Sequence, residues 1–404
     1  MAPGRSGLPW KGALRWAERN TARLLLAVAP RGRHIVISGF PDAEGNAIEM
    51  LRATAPRYRG TIYLLVVDPE TARTVLRVAG LDQLQNLRLV PRRSPEALLR
   101  FSTAEVTMFT HGLFGNPRRV PRKTLVNLWH GGGIKGGLMA DDRGRPTIHS
   151  DYLVAATRQQ GEILAEQCRL PDGGLLLTGN PRIDEFEDVD RSRLAAVGID
   201  PERPFALWMP TFRRNAGHGL TAGWAEAPGD TAGVDLRAGE VVAGLAREGI
   251  QVVVKPHPSD AESHSVEGAI IVTNELLIRH GLLPYQLIGA SAGLLTDYSS
   301  VWIDYLTLDR PIAFLVPDAE SYAGGRGFNP PDALDWLPGP RVESPADIER
   351  FAQDIKAAGA LTAPRRAEVA QRIGLVARRP VAHTILDELD ARGVFGGRLS
   401  PAQA

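Results

Sequence analysis

The stretch that decides the fold runs from residue 34 to residue 67 and reads HIVISGFPDAEGNAIEMLRATAPRYRGTIYLLVV. Its two ends, residues 34–40 and 61–67, are short apolar runs that are typical of buried strands. Between them, Asp42 is placed to cap a helix that continues to about residue 55. A strand, a helix and a second strand in this order predict a parallel pair of strands with a crossover helix.

The same alternation continues along the rest of the chain. Further strands are predicted at residues 87–90, 106–110, 125–129, 151–156, 175–178, 205–209, 251–255, 269–272, 293–296 and 312–316, and helices at 70–79, 234–247, 346–358, 364–376 and 381–391. Residues 215–232 are rich in glycine and alanine without a period, and we predict a loop there. The predicted fold class is α/β, with two doubly wound Rossmann-like domains that face a cleft.

The predicted domain boundaries lie where the alternation of strands and helices is interrupted. Pro201 and Pro204 interrupt the alternation before it restarts. We predict an N-terminal basic helix at residues 1–33, a first Rossmann-like domain at 34–200, a second at 201–380, and a C-terminal helix and tail at 381–404.

Composition excludes several classes of protein. The 404 residues include 47 basic and 46 acidic ones, and a net charge of +1 argues against a nucleic-acid binder. The single cysteine, Cys168, excludes an internal disulfide and favours a reducing, cytoplasmic setting. No apolar stretch approaches the length of a membrane-spanning helix, and Glu18 and Arg19 shorten the first apolar run too much for a signal peptide.

The basic N-terminal segment has two interpretations. In a helix, Trp10, Leu14, Ala17, Leu24 and Val28 would share one face. That face either packs on the first domain or lies on an anionic membrane surface.

Polar side chains follow the ends of four predicted strands. They are His130; Thr211 and Arg213; His257; and Asp297, Ser299 and Ser300. Because ligands of open parallel sheets bind beyond the carboxyl ends of the strands, we expect these groups to form one site that binds phosphate and moves protons.

Three of these motifs also have plainer interpretations. His130 precedes the glycine-rich run 131–137, in which Gly131 and Lys135 suit an anion, although an incidental histidine in a turn has the same sequence. A dinucleotide site would need a helix after these glycines, and none is predicted. Arg213 suits phosphate oxygens, but it also fits a solvated basic loop. His257 stands between two prolines, which restrict the backbone, or it merely ends a strand.

The serine pair and its neighbours complete the candidate residues. Ser299 and Ser300 precede a helical segment, where one can cap the helix and the other can bind phosphate, or both merely cap it. Asp304, one turn later, suits a ribose or polyol hydroxyl, and Arg326 lies in a glycine-rich loop. No spacing of histidine, cysteine or carboxylate residues indicates a metal, and no P-loop is present, so we expect neither a metal nor a cofactor.

Taken together, the motifs resemble those of the CDP-glycerol glycerophosphotransferases. In order they are HG…K (130–135), GNPRID (179–184), PTFR (210–213), KPHP (255–258), TDYSS (296–300) and RGF (326–328). The resemblance covers about residues 105–330. In place of the family's HGTP-type and KLHP motifs this chain has HGGG at 130–133 and KPHP.

This resemblance implies a GT-B-like fold, with an acceptor domain first and a donor domain second. It implies transfer of a polyol phosphate, glycerol phosphate first among the candidates, from a CDP-activated donor to a hydroxyl of a teichoic-acid-like or capsule polymer, with release of CMP. His130 would be the base, while His257, Arg213, Ser299 and Ser300 would neutralise the phosphates; the two histidine roles can also be exchanged. Arg182, within GNPRID, would contact substrate.

The implied partners are the CDP-polyol donor, a lipid-linked or polymeric acceptor and an anionic membrane surface. The protein would meet that surface from the cytoplasmic side, and we expect no nucleic-acid partner. Two other functions fit the same sequence: a nucleotide-sugar glycosyltransferase on the same fold, and a non-catalytic module that binds a nucleotide or lipid. The motifs leave open whether the polyol is glycerol or ribitol.

Overall fold

Two parallel β-sheets with flanking helices form the molecule, which is seen here in a computed structural model. The structure describes residues 20–120, 123–131, 145–187, 189–210, 212–214, 220–222, 231–256, 266–316, 319 and 327–401. The predicted α/β class with two doubly wound sheets is confirmed.

The first sheet is wholly parallel, and its order is β3-β2-β1-β4-β5-β6-β7. Its strands are β1 (His34–Ser38), β2 (Thr61–Val66), β3 (Leu87–Pro91), β4 (Val106–Phe109), β5 (Thr124–Asn127), β6 (Tyr152–Ala155) and β7 (Leu175–Leu177). The direction of winding reverses between β1 and β4, and such a switch point opens a crevice beyond the carboxyl ends of the strands.

The second sheet repeats this winding with the order β12-β11-β8-β13-β14. Its strands are β8 (Phe205–Met209), β11 (Gln251–Val254), β12 (Ile270–Ile271), β13 (Gly293–Thr296) and β14 (Ile312–Phe314). A second switch point therefore lies between β8 and β13. A separate antiparallel pair joins β9 (Phe212–Arg214) to β10 (Leu220–Ala222).

Helices cover both sheets. They are α1 (residues 20–28), α2 (Gly45–Thr54), α3 (Pro69–Val78), α4 (Pro95–Thr103), α5 (Arg158–Cys168), α6 (Thr231–Arg247), α7 (Asn274–Arg279), α8 (Pro284–Ala290), α9 (Val301–Leu306), α10 (Pro345–Lys356), α11 (Ala363–Ile373) and α12 (Val381–Ala391). Short 3₁₀ helices occupy Pro181–Phe186, Arg191–Val197 and Ala333–Trp336. Within the described residues no helix is long and apolar enough to cross a bilayer.

The start of α2 differs from the prediction. Glu44, not Asp42, is its N-cap and accepts a hydrogen bond from the Ala47 N–H at 3.0 Å. The carboxylate of Asp42 instead accepts the backbone N–H groups of Val67 and Asp68, at 2.7 and 2.9 Å. Asp42 therefore fastens the loop after β1 to the end of β2 and is not available as a cap.

The predicted loop at 215–232 is wrong where it includes β10 and the first residues of α6. The short strand β10 has little pattern of its own, and it forms because β9 satisfies its backbone hydrogen bonds. Helices α4 and α5 were not predicted. Their signals were the caps Ser94 and Thr157, which accept the N–H groups of Ala97 and Gln160.

Helix α1 packs through a different face from the predicted one. Ala22 and Leu26 are buried, whereas Leu24 and Val28 are 63% and 68% exposed. The interpretation that the stripe through Leu24 and Val28 packs on the first domain is therefore wrong for these two residues. The rest of that stripe, Trp10, Leu14 and Ala17, lies outside the described residues.

We call each sheet with its flanking helices a unit. Helix α8 of the second unit packs closely on the 3₁₀ helix Pro181–Phe186 of the first unit. A Cβ placed on Gly289 would lie only 2.6 Å from the Phe186 carbonyl oxygen and 2.8 Å from its Cα. Backbone atoms cannot move aside as a flexible side chain does, so this contact requires glycine.

We expect Gly289→Ala to lower the free energy of unfolding by about 1–3 kcal/mol, the usual cost of overpacking. Gly239→Ala is the matched control, because Gly239 lies in α6 with open space around its Cα. That control should gain about 0.5–1 kcal/mol from the helix propensity of alanine. Urea denaturation of both variants measures the difference, and equal effects would contradict the close contact.

Candidate functional site

His130 lies beyond the carboxyl end of β5, and its tautomer is set by the backbone. Its Nδ1 lies 2.8 Å from the carbonyl oxygen of Thr110. A carbonyl oxygen only accepts hydrogen bonds, so in the neutral ring Nδ1 carries the proton and Nε2 carries the lone pair. This is the tautomer that a general base needs for accepting a proton at Nε2.

A turn of unusual backbone conformation presents this histidine. Strand β5 ends at Asn127, two residues before the predicted end, and Trp129 adopts a left-handed φ of 53°. The Asn127 side chain accepts the Trp129 N–H, and the Asn46 amide donates to the Trp129 carbonyl, both at 2.9 Å. A non-glycine residue held in this region is strained, and such residues cluster at functional sites.

A second histidine, His111, stacks on His130. Their ring centroids are 3.7 Å apart and the planes differ by 15°. Burial, together with the charges of His130, Arg92 and Arg182, lowers the pKa of His111 to about 3. His111 is therefore neutral near pH 7 and packs against His130 without adding a positive charge. Sequence reasoning left it unassigned, although it follows the end of β4 just as His130 follows β5.

The two sheets meet where Gly131 approaches Ser300. A Cβ placed on Gly131 would lie 3.4 Å from Ser300 Oγ. Ser300 is at the N-cap position of α9 but makes no side-chain cap hydrogen bond, so the helix does not use its hydroxyl. Asp297 is buried after β13, and its carboxylate accepts the Ser299 N–H at 3.2 Å. Gly131 and the TDYSS segment thus approach each other, and their common role in one site stays a prediction.

Arg182 and Asp304 form a buried ion pair between the two units. Arg182 Nη2 lies 2.7 Å from Asp304 Oδ2, and Asp304 is only 1% exposed. Asp304 also accepts hydrogen bonds from Asn180 at 2.6 Å and from the Tyr285 hydroxyl at 2.7 Å. Burial opposes the charge of Arg182, but the combined attraction of Asp304, Tyr285 and Glu44 raises its pKa. Both side chains are thus engaged within the protein, and their contact with substrate stays a prediction.

Arg182 also reaches the catalytic candidate. Its Nη1 donates to the carbonyl oxygen of His130 at 2.8 Å, and its backbone N–H donates to Asn46 Oδ1 at 3.1 Å. The position of His130 therefore depends on the same arginine that joins the two units.

Glu44 is a buried carboxyl group beside this ion pair. One of its oxygens caps α2, while Oε1 has no hydrogen-bond partner within the described residues. Burial raises its pKa to about 7, although Arg182 and backbone N–H groups favour the charged form. Sequence reasoning missed this residue, because its position in a loop after β1 does not indicate that it is buried.

Several predicted site residues cannot be placed here. Thr211, Lys135, His257 and Arg326 lie outside the described residues, and of Arg213 only the backbone, in β9, is described. Lys255, two residues before His257, is buried, and burial lowers its pKa to about 8. Across the described ranges, no group of three or more histidine, cysteine or carboxylate side chains is arranged to hold a metal ion.

The chain belongs to the CDP-glycerol:poly(glycerophosphate) glycerophosphotransferase family, whose model matches residues 32–375. The resemblance carried by the motifs is thereby confirmed.

Two curated relatives match the chain in part. A teichoic acid ribitol-phosphate primase of Bacillus spizizenii is 28% identical over 218 residues, which are 52% of this chain and 51% of the relative. A teichoic acid glycerol-phosphate primase of Staphylococcus aureus is 22% identical over 233 residues, 54% of this chain and 56% of the relative. The chain thus aligns with only about half the length of these relatives.

A solved structure shares the fold over nearly the whole chain. The wall teichoic acid polymerase TagF superposes with a TM-score of 0.68 at 18% identity, covering 95% of this chain and 96% of that one.

The raised pKa of Glu44 makes stability depend on pH. Between its ordinary value of 4.5 and about 7, the unfolded chain loses this proton while the folded protein keeps it. The free energy of unfolding therefore falls by about 2–3 kcal/mol as the pH rises through this window.

Glu44→Gln removes the titration. We expect the variant to become more stable relative to the native protein as the pH rises from about 4.5 to about 7, because only the native chain then bears the cost of a buried carboxyl. Urea denaturation at a series of pH values measures this difference. Parallel stability curves for the two proteins would contradict it.

Proposed function

We propose that this family member transfers a polyol phosphate from a CDP-activated polyol to an acceptor hydroxyl and releases CMP. The observation that carries the proposal is the approach of the His130–Gly131 turn to Ser300 across the two units, with His130 in the tautomer of a base. Glycerol phosphate is the first candidate group, and ribitol phosphate is the second.

In this reaction His130 acts on the acceptor. An alcohol is a weak nucleophile near pH 7, and a positioned base removes its proton as the new bond forms. The acceptor oxygen attacks the phosphorus that bears the polyol. The bond from that phosphorus to the bridging oxygen breaks, CMP leaves with the electron pair, and the acceptor proton passes to His130 Nε2.

The second unit neutralises the donor phosphates. Charge that develops on the leaving CMP is stabilised by hydrogen-bond donors already in position. Ser300 supplies a hydroxyl group beside Gly131. From the sequence, Ser299, Thr211, Arg213, His257 and Lys135 are proposed to add further donors. Residues 34–200 would then hold the acceptor and residues 201–380 the donor, which agrees with one switch point in each sheet.

The acceptor in this proposal is a teichoic-acid-like or capsule polymer on a lipid carrier. The protein would therefore work at the cytoplasmic face of the membrane, in peripheral contact with anionic lipid. The exposed Leu24 and Val28 of α1 support such a contact.

Donor specificity tests the proposal. The protein is incubated with CDP-glycerol, CDP-ribitol and UDP-sugars, each with a soluble polyol-phosphate acceptor, and nucleotide release is followed. We expect acceptor-dependent CMP from a CDP-polyol. Release of UDP with sugar transfer would support a glycosyltransferase instead, and binding without turnover of any donor would support a non-catalytic module.

We expect His130→Ala to lower kcat by about 10²–10⁴-fold, the usual contribution of a general base, while leaving the donor Kd within about threefold. His383→Ala, on α12, is the matched control and should leave both unchanged. Steady-state kinetics and calorimetric titration with CDP-glycerol measure the two quantities. Transfer by His130→Ala near the native rate would remove His130 from the mechanism.

Loss of a phosphate contact should act on the donor. Arg213→Ala, His257→Ala and Ser299→Ala are each expected to lower kcat/KM for the donor by about 10–100-fold, as the loss of a charge-assisted hydrogen bond does. Kinetics at varied donor concentration measure this. Unchanged kcat/KM in all three variants would refute the phosphate contacts.

A further inference from the structure

A strongly basic cleft lies on the first unit, outside the site described above. Its volume is about 840 Å³. Five arginines and a histidine line it: Arg23, Arg118, Arg119, Arg145, Arg169 and His149. No acidic residue belongs to the described lining. Asp151 lies nearby, where its carboxylate is 3.6 Å from Arg119 and accepts the Leu125 N–H at 2.8 Å.

The cleft is at the opposite edge of the sheet from His130. Arg118 precedes β5, His149 precedes β6, and Arg169 lies between α5 and β7, so all three are near the amino ends of parallel strands. His111 and His130 follow the carboxyl ends of strands in the same sheet. The cleft therefore takes no part in the transfer step itself.

The arginines converge on one space. Burial lowers the pKa of His149, and the charges of Arg118, Arg119 and Arg169 lower it further. Arg23, Arg118 and Arg169 are exposed, and none has a carboxylate or hydrogen-bond partner for its side chain in the described part of the chain. Like charges that line one cleft repel each other, and a bound anion relieves that repulsion.

The helix that supplies Arg23 also indicates the kind of anion. Leu24 and Val28 of α1 are exposed, while Ala22 and Leu26 hold the helix on the core. A guanidinium beside exposed aliphatic side chains on one helix suits the membrane interface, where phosphates lie above acyl chains. Arginine also matches the two free oxygens of a phosphodiester with parallel hydrogen bonds.

We propose that this cleft binds the phosphate headgroup of an anionic phospholipid, with Leu24 and Val28 entering the acyl boundary. The proposal deepens the function above and rests on it, because it names the lipid surface at which a lipid-linked acceptor is met. It also joins the N-terminal segment, for which the sequence left a membrane surface open, to the basic run PRRVPRK at residues 117–123.

Within that run, Lys123 does not take part. Its side chain is buried, Nζ donates to the Pro30 carbonyl at 3.3 Å, and burial lowers its pKa. Lys123 instead fastens the chain after α1 to the start of β5. Arg122 lies outside the described residues.

Vesicle co-sedimentation tests the cleft, with phosphatidylglycerol vesicles against phosphatidylcholine vesicles at low and high salt. The cleft variant combines Arg23→Gln, Arg118→Gln and Arg169→Gln. The control variant removes the same charge at exposed arginines elsewhere, by Arg73→Gln, Arg77→Gln and Arg191→Gln. A third variant changes the three cleft arginines to lysine, which keeps the charge but loses the paired hydrogen bonds.

We expect the native protein to prefer phosphatidylglycerol. The cleft variant should lose about 100-fold in partition coefficient, at about fivefold for each of the three cations lost from an anionic surface. The control variant should lose less than about threefold, and the lysine variant about tenfold. Leu24→Ser with Val28→Ser should also weaken binding.

Equal losses in the cleft and control variants would overturn the proposal in favour of diffuse attraction. Absence of native binding at low salt would overturn it too. Retained vesicle binding by the cleft variant, with lost affinity for soluble poly(glycerol phosphate), would assign the cleft to a polymer instead.

Turnover of CDP-glycerol with a soluble acceptor separates this proposal from the proposed function. The cleft variant should keep native turnover there, because the cleft is remote from His130. Absence of turnover in the native protein would contradict the proposed function, while the vesicle results would still decide the cleft.

Discussion

The buried ion pair between Arg182 and Asp304 is the interaction on which the arrangement of the site depends. Arg182 lies in the 3₁₀ helix after the last strand of the first sheet, and Asp304 lies in α9, after β13 of the second. Breaking such a pair leaves an uncompensated buried charge and typically costs about 3–5 kcal/mol. Asn180 and Tyr285 satisfy the remaining capacity of the carboxylate, so both charges tolerate burial.

The pair also explains why the candidate groups meet. Both sheets have their switch points near it, with His111 following β4 and Asp297 following β13. Parallel strands bring their carboxyl ends to one edge, but each sheet alone supplies only half of the groups needed. The contact between Arg182 and Asp304 holds the two sheets where Gly131 approaches Ser300, so that a Cβ placed on Gly131 would lie 3.4 Å from Ser300 Oγ.

The sequence was informative where burial leaves a continuous apolar run. Strands β8 and β13 were predicted with their observed bounds, because parallel strands covered on both faces are apolar throughout. His130 and Ser300 were predicted to be site residues because they follow such apolar runs, within four residues of the observed strand ends. The short β10 was missed because its stability comes from its partner strand, which no local pattern records.

Other features depend on contacts between distant parts of the chain. The sequence predicted that Arg182 and Asp304 bind substrate, and only the folded structure shows that they form an ion pair with each other. Glu44 owes its raised pKa to burial, and Arg23 and Arg118 line one cleft only because α1 lies beside the loop before β5. Residue type predicted the chemistry of these groups, but their partners followed from tertiary structure.

Arg182 gives the catalytic candidate a dependence on the second unit. The same guanidinium that pairs with Asp304 donates to the His130 carbonyl. The next residue, Gly131, approaches Ser300. A displacement of α9 relative to the first sheet would therefore move His130 as well as Ser299 and Ser300. Because the ion pair between Arg182 and Asp304 connects both halves of the candidate site, it fixes their relative position even though they belong to different sheets.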